Sequence, residues 1–543
     1  MTKRITTEYA VIGSGAGGSV VAYHLAAAGA RVAMIERGAW LSPKDYSHDE
    51  PEMIARLYKD GGAQTNNDAD MFVLQGNCVG GSTVLTNAVC FRMPEDVRAS
   101  FEQQGCTLPR ELLTQSHTRV ESVLGVAALA ADLHNPATAV LASGFQDIGI
   151  EPSGFQKNMR DCIGCGYCNV GCRYGRKLAA SQTWVPMSVK RGATVVPDTE
   201  ILRIDHHRGQ VRRLLGRDRK TGEEVHIVAD RYVLAGGAIN TPELLLRSGL
   251  HKGRAGKRTS FNAGGIVFGE FEHDLDGFLG DQMCVHHIND RFVIEQIQNP
   301  PVSLALTMPG FYGDHAERML RYRRMAALGV LVPTKPTGEV FLGLGHRLLR
   351  KLFDHADIRY RMSQEELRDF RDGCKTAARA MLAAGAKSVF MPCATPITIT
   401  EEAHLDRVDA AMRSQSDLVG FGSSHPQGGA CRGSDPATSV VDEEFRVRGF
   451  EALFQRPELP CKGSACSQRQ RQRAEKGQEG GGRDVIASGA GRRPARARAP
   501  RRRPGCRRGR PPDAAGRAAG RPERGVPRAC PAGTRVEISR GPS

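Results

Sequence analysis

The residues best suited to chemistry at the start of this chain are Gly13-Ser-Gly15-Ala-Gly17-Gly18 and, 23 residues after Gly13, Glu36. An apolar run, Tyr9-Ala-Val-Ile12, enters the glycines, an Ala-rich stretch leaves them for Gly29, and Arg31-Val-Ala-Met-Ile ends on Glu36. Each part has a physical task. Gly13 permits a tight turn, Gly15 lets backbone approach a pyrophosphate, Gly18 lets helix and strand pack closely, and the helix N-terminus attracts the phosphates. Glu36 then stands where it can hydrogen-bond a ribose hydroxyl. A glycine-rich helix start could mimic the glycines alone, but not the strand, helix, second strand and acid in order. The chemistry is dinucleotide binding, with NAD and FAD both open at this point.

A second group is Cys162-Ile-Gly-Cys165-Gly-Tyr-Cys168-Asn-Val-Gly-Cys172. Its C-x2-C-x2-C-x3-C spacing matches the iron-sulfur run of bacterial ferredoxins, and the glycines between let backbone amides approach the sulfurs. Structural zinc more often uses two CxxC pairs a dozen or more residues apart, so an iron-sulfur cluster on Cys162, Cys165, Cys168 and Cys172 is the better metal reading. Two departures keep the alternative of buried or disulfide-competent thiols open. Arg173 occupies the usual proline position, and the fourth ferredoxin cysteine serves a different cluster.

The elements that must position these groups are legible as far as about residue 454. Glycine-rich punctuation falls at 13–18, 76–81, 236–237 and 428–429. Thr194-Val-Val-Pro and Glu200-Ile-Leu-Arg-Ile read as short strands, and Glu224-Val-His-Ile-Val with Arg231-Tyr-Val-Leu-Ala as a hairpin or paired strands. A capped helix is predicted from Asn240 to Gly249 with Pro242 in its first turn, and a longer one from Gln364 to Ala384, stopped by Gly385. Strand-like runs around Gly264 and Phe292 accompany that longer helix, so 256–415 reads as an inserted sheet-plus-helix domain.

Composition bounds the partners. The net charge of +16 resides in residues 455–543, which hold 23 Lys and Arg against 7 Asp and Glu, leaving 52 of each before them. A nucleic-acid or membrane-seeking surface is therefore not expected of the body. No apolar run of about 20 residues suggests a transmembrane segment, and the first residues have no signal-like stretch, so a cytoplasmic address is expected. Of the 15 cysteines four crowd into one run, which points to a metal site and scattered buried thiols rather than a secreted disulfide framework.

Gln75-Gly76-Asn-Cys-Val-Gly80-Gly81-Ser82-Thr-Val-Leu-Thr-Asn87 joins the opening motif, Gly237 to Gly249 and Ser424-His425-Pro-Gln-Gly-Gly429 in a set. Together, in this order, they resemble the glucose-methanol-choline (GMC) family of FAD oxidoreductases, in its branch with a cysteine-rich segment. On the residues alone, Gly80 and Gly81 let a loop lie flat against a ring system whose polar edge Ser82 and Asn87 could bond, or form an ordinary glycine turn. The resemblance selects FAD and implies that Gly80, Gly81, Ser82 and Asn87 face its flavin. It also implies that His425 is the catalytic base, taking the hydroxyl proton of an alcohol while hydride leaves for flavin N5.

The implied fold is α/β: a doubly wound, Rossmann-like FAD-binding domain from 1–100, 186–255 and 416–454, a connecting region with the cysteines at 101–185, and an α+β substrate domain at 256–415. The implied partners are a small-molecule alcohol, for which the apolar run from Val302 to Pro309 favours a bulky apolar alcohol or sterol over a sugar, and an acceptor that is oxygen or an external carrier. A FAD-containing lyase of the same fold and a non-functional remnant with an incomplete catalytic pair stay open as alternatives. The remnant reading arises because the family continues with a Val-Asn-Pro segment about 40 residues after the histidine, whereas no asparagine follows Asn299. Residues 455–543 turn instead to Arg, Pro, Gly and Ala, read either as a disordered basic tail or as a shifted reading frame in a GC-rich gene, the latter preferred because the break falls within a core strand.

Overall fold

The computed structural model describes residues 2–103, 106–297, 299–343 and 357–455. Both readings of the basic tail fall beyond Gln455, outside the described residues.

The first sheet grows from the opening motif. β1 (Lys3–Ile12) lies between β2 (Val32–Ile35) and β6 (Glu224–Leu234), parallel to both. Helix α1 (Ala16–Ala27) makes the crossover from β1 to β2. β3 (Thr194–Val196) extends the sheet beyond β2, while β4 (Thr199–His207) and β5 (Gln210–Asp218) continue it antiparallel beyond β6. Where β1 and β2 pair they are apolar, as cover on both faces requires, with Ala10, Val11, Met34 and Ile35 buried.

The expected hairpin at 224–235 is instead one strand. Ala229 and Arg231 keep partners Thr7 and Tyr9 across the gap where a turn would fall, so pairing with a long neighbour overrides the polar interruption at Asp230. Helix α2 (Gly237–Arg247) starts three residues before the predicted Asn240, which places Pro242 inside it. The strand Leu453–Gln455 joins β6 in parallel and so carries the end of the described body into this sheet.

The second sheet is mainly antiparallel. β7 (Asn262–Glu270) pairs with β10 (Met325–Pro333) along nine positions, and β8 (Val285–Ile288) and β9 (Val293–Gln296) extend it. Helix α3 (Gln364–Ala383) covers it, opened by a reciprocal Ser363–Glu366 capping box and followed by Gly385 at φ +93°. Phe370, Ala377 and Met381 from its buried face enter a core with Val267, Leu328 and Val330. Gly373 allows that contact, since a Cβ there would lie 2.5 Å from Val330.

Two short strands depart from the expected domain boundaries. Phe72–Val73 and Gly422–Ser423, both assigned to the FAD-binding part, pair with each other in parallel, and Gly422–Ser423 pairs with β7 in the second sheet. Alternating patterns this short carry no signal of which sheet they join.

Candidate functional site

The glycine turn after β1 is sterically obligatory. A Cβ on Gly13, at φ +101°, would sit 2.3 Å from the Ala235 carbonyl oxygen, and one on Gly18 only 1.9 Å from that of Gly13. Gly15 is the N-cap of α1, with no side-chain cap and no acid in the first turn, an arrangement suited to an anion. Glu36 is buried and accepts from the Ser14 amide at 2.9 Å, the Ser14 hydroxyl at 2.7 Å and the Gly38 amide at 3.1 Å. Burial pushes its carboxyl pKa up, and the Ser14 hydrogen bonds pull it back. Ser14 Oγ in turn accepts from the Gly80 amide at 2.9 Å, so the second glycine loop is tied to the first through Glu36.

Gly13, Gly15, Glu36, Gly81 and Ser82 line one cavity of about 260 Å³, at the carboxyl ends of β1 and β6. Gly18, Gly80, Asn87 and His425 do not line it. Gly18 acts through packing, and Gly80, at φ +99°, through the shape of its loop. The cavity also holds Arg37, Lys59, Glu200, Glu243 and Arg247, which the sequence reading did not single out. Lys59 Nζ donates to Asn240 Oδ1 at 2.8 Å and lies 3.7 Å from Glu243. Burial lowers the Lys59 pKa, with Glu243 opposing. The available signal was structural: Gly236-Gly237 repeats at the end of β6 the strand–glycine–helix turn that ends β1.

The second loop presses on the first motif, for a Cβ on Gly81 would lie 2.9 Å from Gly15 Cα. Ser82 Oγ closes this loop by accepting from the Gly76 amide at 2.9 Å. Asn87 donates through Nδ2 to Met283 Sδ at 3.2 Å, while its buried Oδ1 has no partner among the described residues. An uncapped helix start, a glycine cradle and an orphaned buried acceptor together fit a dinucleotide with a hydrogen-bonding ring.

His425 follows Gly422–Ser423, and its backbone amide donates to Ser423 Oγ at 3.1 Å. The side chain is solvent-exposed, yet enough protein surrounds it that desolvation lowers its pKa from the ordinary 6.5, with a hydrogen bond to Asn262 backbone opposing. The strand that carries His425 runs beside Phe72–Val73, which leads into Gln75–Ser82, and Leu74 N donates to Ser423 O at 2.8 Å. Both loops thus leave adjacent parallel strands in one direction.

Cys162, Cys165, Cys168 and Cys172 line one small cavity, and all are free thiols. The Gly164 amide donates to Cys162 Sγ at 3.5 Å, and the Arg176 and Lys177 amides to Cys172 Sγ at 3.2 and 3.4 Å. Burial pushes the Cys162, Cys165 and Cys168 thiols up. Among the described residues, no group of three or more His, Cys, Asp or Glu is placed to hold a metal ion.

Two buried lysines, also missed, connect this cavity to the second glycine loop. Lys177 Nζ donates to the Val84 and Thr86 carbonyls at 2.7 Å each and to that of Cys168; burial brings its pKa down to about 8. Lys157 Nζ donates to the Asn87 carbonyl at 2.8 Å and pairs at 2.6 Å with Asp281, which lines the cysteine cavity.

A sheet with a glycine-lined cavity at its carboxyl edge, and a second sheet whose strand leads into His425, make an architecture of the class that can seat a dinucleotide. The particular family follows from comparison: models described as GMC oxidoreductase match residues 54–287 and 350–454, and one for an NAD(P)-binding Rossmann-like domain matches 11–69. The chain belongs to the GMC oxidoreductase family.

An uncharacterized GMC-type oxidoreductase of Mycobacterium tuberculosis is 28% identical over 457 residues, covering 82% of this chain and 70% of that protein. A long-chain-alcohol oxidase of Arabidopsis thaliana is 28% identical over 488 residues, covering 83% of this chain; the chain spans 63% of that oxidase. Among solved structures, pyridoxine 4-oxidase from Mesorbium loti superimposes with a TM-score of 0.59 at 17% identity, over 85% of this chain and 96% of that one. A formate oxidase gives 0.60 at 13% identity, over 86% and 96%. At such identities these neighbours establish the shared fold. No described helix is long and apolar enough to cross a membrane.

Proposed function

We propose that this protein is an FAD-dependent oxidoreductase acting on the CH–OH group of an alcohol, with His425 as the proton acceptor. Membership of the family and the long-chain-alcohol oxidases among its relatives support the reaction class. The observation that carries the role of His425 is its placement: its strand runs in parallel beside the strand that leads into the Gly76–Ser82 loop.

Bound FAD would supply the hydride acceptor. The chain's own residues do the rest. The start of α1 and the glycine turn would hold its diphosphate, Glu36 its ribose, and Gly81 with Ser82 its ring system, toward whose N–H groups the unpartnered Asn87 Oδ1 could accept. His425 takes the hydroxyl proton at an imidazole nitrogen, which lets electron density build on oxygen as hydride leaves carbon. Its lowered pKa keeps the accepting, neutral form present at neutral pH.

The substrate reading rests on the relatives. Of the apolar run at 302–309, Leu304 and Met308 are buried in a core with Phe268, Met325 and Phe390, whereas Val302 and Leu306 are exposed. Oxygen or an external carrier serves as acceptor. Replacing His425→Ala should leave flavin bound, read from visible absorbance, and lower turnover of long-chain alcohols by about 10²–10⁴-fold. Turnover retained at the parent rate refutes the role.

A further inference from the structure

We propose that Cys162, Cys165, Cys168 and Cys172 hold an iron-sulfur cluster seated against the loop that borders the flavin site.

The four thiols share one cavity and all are free, so each is available as a ligand. Cys172 faces the same cavity as the other three, so the fourth cysteine of this run is available to the cluster that the first three surround. In a two-cluster ferredoxin it is diverted elsewhere. The chain wraps the cavity by way of Gly164, Gly166 and Gly171, at φ +66°, +77° and +91°. A Cβ at Gly166 would lie 2.7 Å from the Phe278 carbonyl, and one at Gly171 would lie 2.4 Å from the Tyr46 ring.

Donors and charge agree with the same occupant. Cluster-bound sulfurs carry negative charge, and hydrogen bonds to them are a main means by which a protein stabilises and tunes the cluster. Backbone amides already reach Cys162 and Cys172. The buried Lys177 bonds the Cys168 carbonyl and supplies compensating positive charge.

A cluster and a single ion make different demands on four thiols. Four thiolates about 2.3 Å from one zinc ion must lie close together. A cluster interposes its own irons and sulfides, so its ligands surround a shared cavity, and all four thiols line one here. The site is also continuous with the flavin side. Lys177 links Cys168 to Val84 and Thr86, and Lys157 links Asp281 to Asn87.

The test is iron and acid-labile sulfide content of the full chain, purified and reconstituted without oxygen, with electron paramagnetic resonance after dithionite reduction. About four iron and four sulfide per chain and a reduced-cluster signal are expected. Cys165→Ser and Cys168→Ser should lose most of the iron while flavin absorbance remains, and Cys90→Ser, outside the cavity, should keep both. Iron and sulfide near zero in the unaltered chain, or zinc in place of iron, overturn the proposal whether or not the protein is yellow. Iron retained in the Cys165→Ser, Cys168→Ser double variant overturns it too.

Discussion

At His425, desolvation and charge state decide more than residue type. Desolvation favours the neutral imidazole, so its pKa lies below 6.5 and the accepting form persists to a lower pH than for a free histidine. The acid limb of kcat/KM should therefore have its midpoint below 6.5; a midpoint above it contradicts the assignment. The same shift has a stability sign. The folded state binds the proton less readily than the unfolded chain, so stability associated with His425 is present above pH 6.5 and is lost as pH falls toward the folded pKa. Glu36 offers a second residue-scale test. Its carboxylate accepts two bonds from Ser14 and one from Gly38, so Glu36→Gln turns an amide donor toward existing donors. Loss of one charged hydrogen bond, about 1.5–3 kcal/mol, should weaken flavin binding about tenfold or more, measured by release of flavin fluorescence on dilution. Both residues were legible in the sequence because each sits in a motif of defined spacing. Their hydrogen-bond partners were not: the Gly80–Ser14–Glu36 chain joins loops that only the fold brings together.

Among elements, the junction of β1 and α1 is the most constrained. Gly18→Ala would set a Cβ 1.9 Å from the Gly13 carbonyl oxygen, in backbone that cannot move without displacing the cofactor turn. It should cost about 1–3 kcal/mol or more and release flavin, read from the denaturation midpoint and from absorbance. Gly313→Ala is the control. It lies in the helix Tyr312–Leu320 with nothing within 4 Å, and should be neutral or stabilising by about 0.5–1 kcal/mol. The first βαβ unit and α3 were legible because periodicity, caps and terminating glycines agree locally. The continuous β6 and the early start of α2 were not, because a polar interruption or a missing cap is outweighed by neighbours far along the chain.

At the scale of the whole molecule, a buried ion pair joins segments distant in the chain. Lys157 and Asp281 are each at most 1% exposed and 2.6 Å apart, joining the loop at Asn87 to the cysteine cavity. Asp281→Asn strands a buried ammonium and should destabilise by about 3–5 kcal/mol in chemical denaturation, whereas Lys157→Met with Asp281→Leu should recover most of the loss. A single variant without effect would mean that the pair is solvated in solution. The amino-acid sequence by itself determined the dinucleotide turn, the cysteine spacing and the confinement of excess charge to residues 455–543, since these depend on backbone sterics and composition. Only the tertiary structure decided that Phe72–Val73 and Gly422–Ser423 pair, which brings the His425 loop beside the second glycine loop, and that Lys157 and Lys177 bridge that loop to the cysteines. Strand partners and buried charge pairs are selected by packing between distant segments, and no local pattern records them.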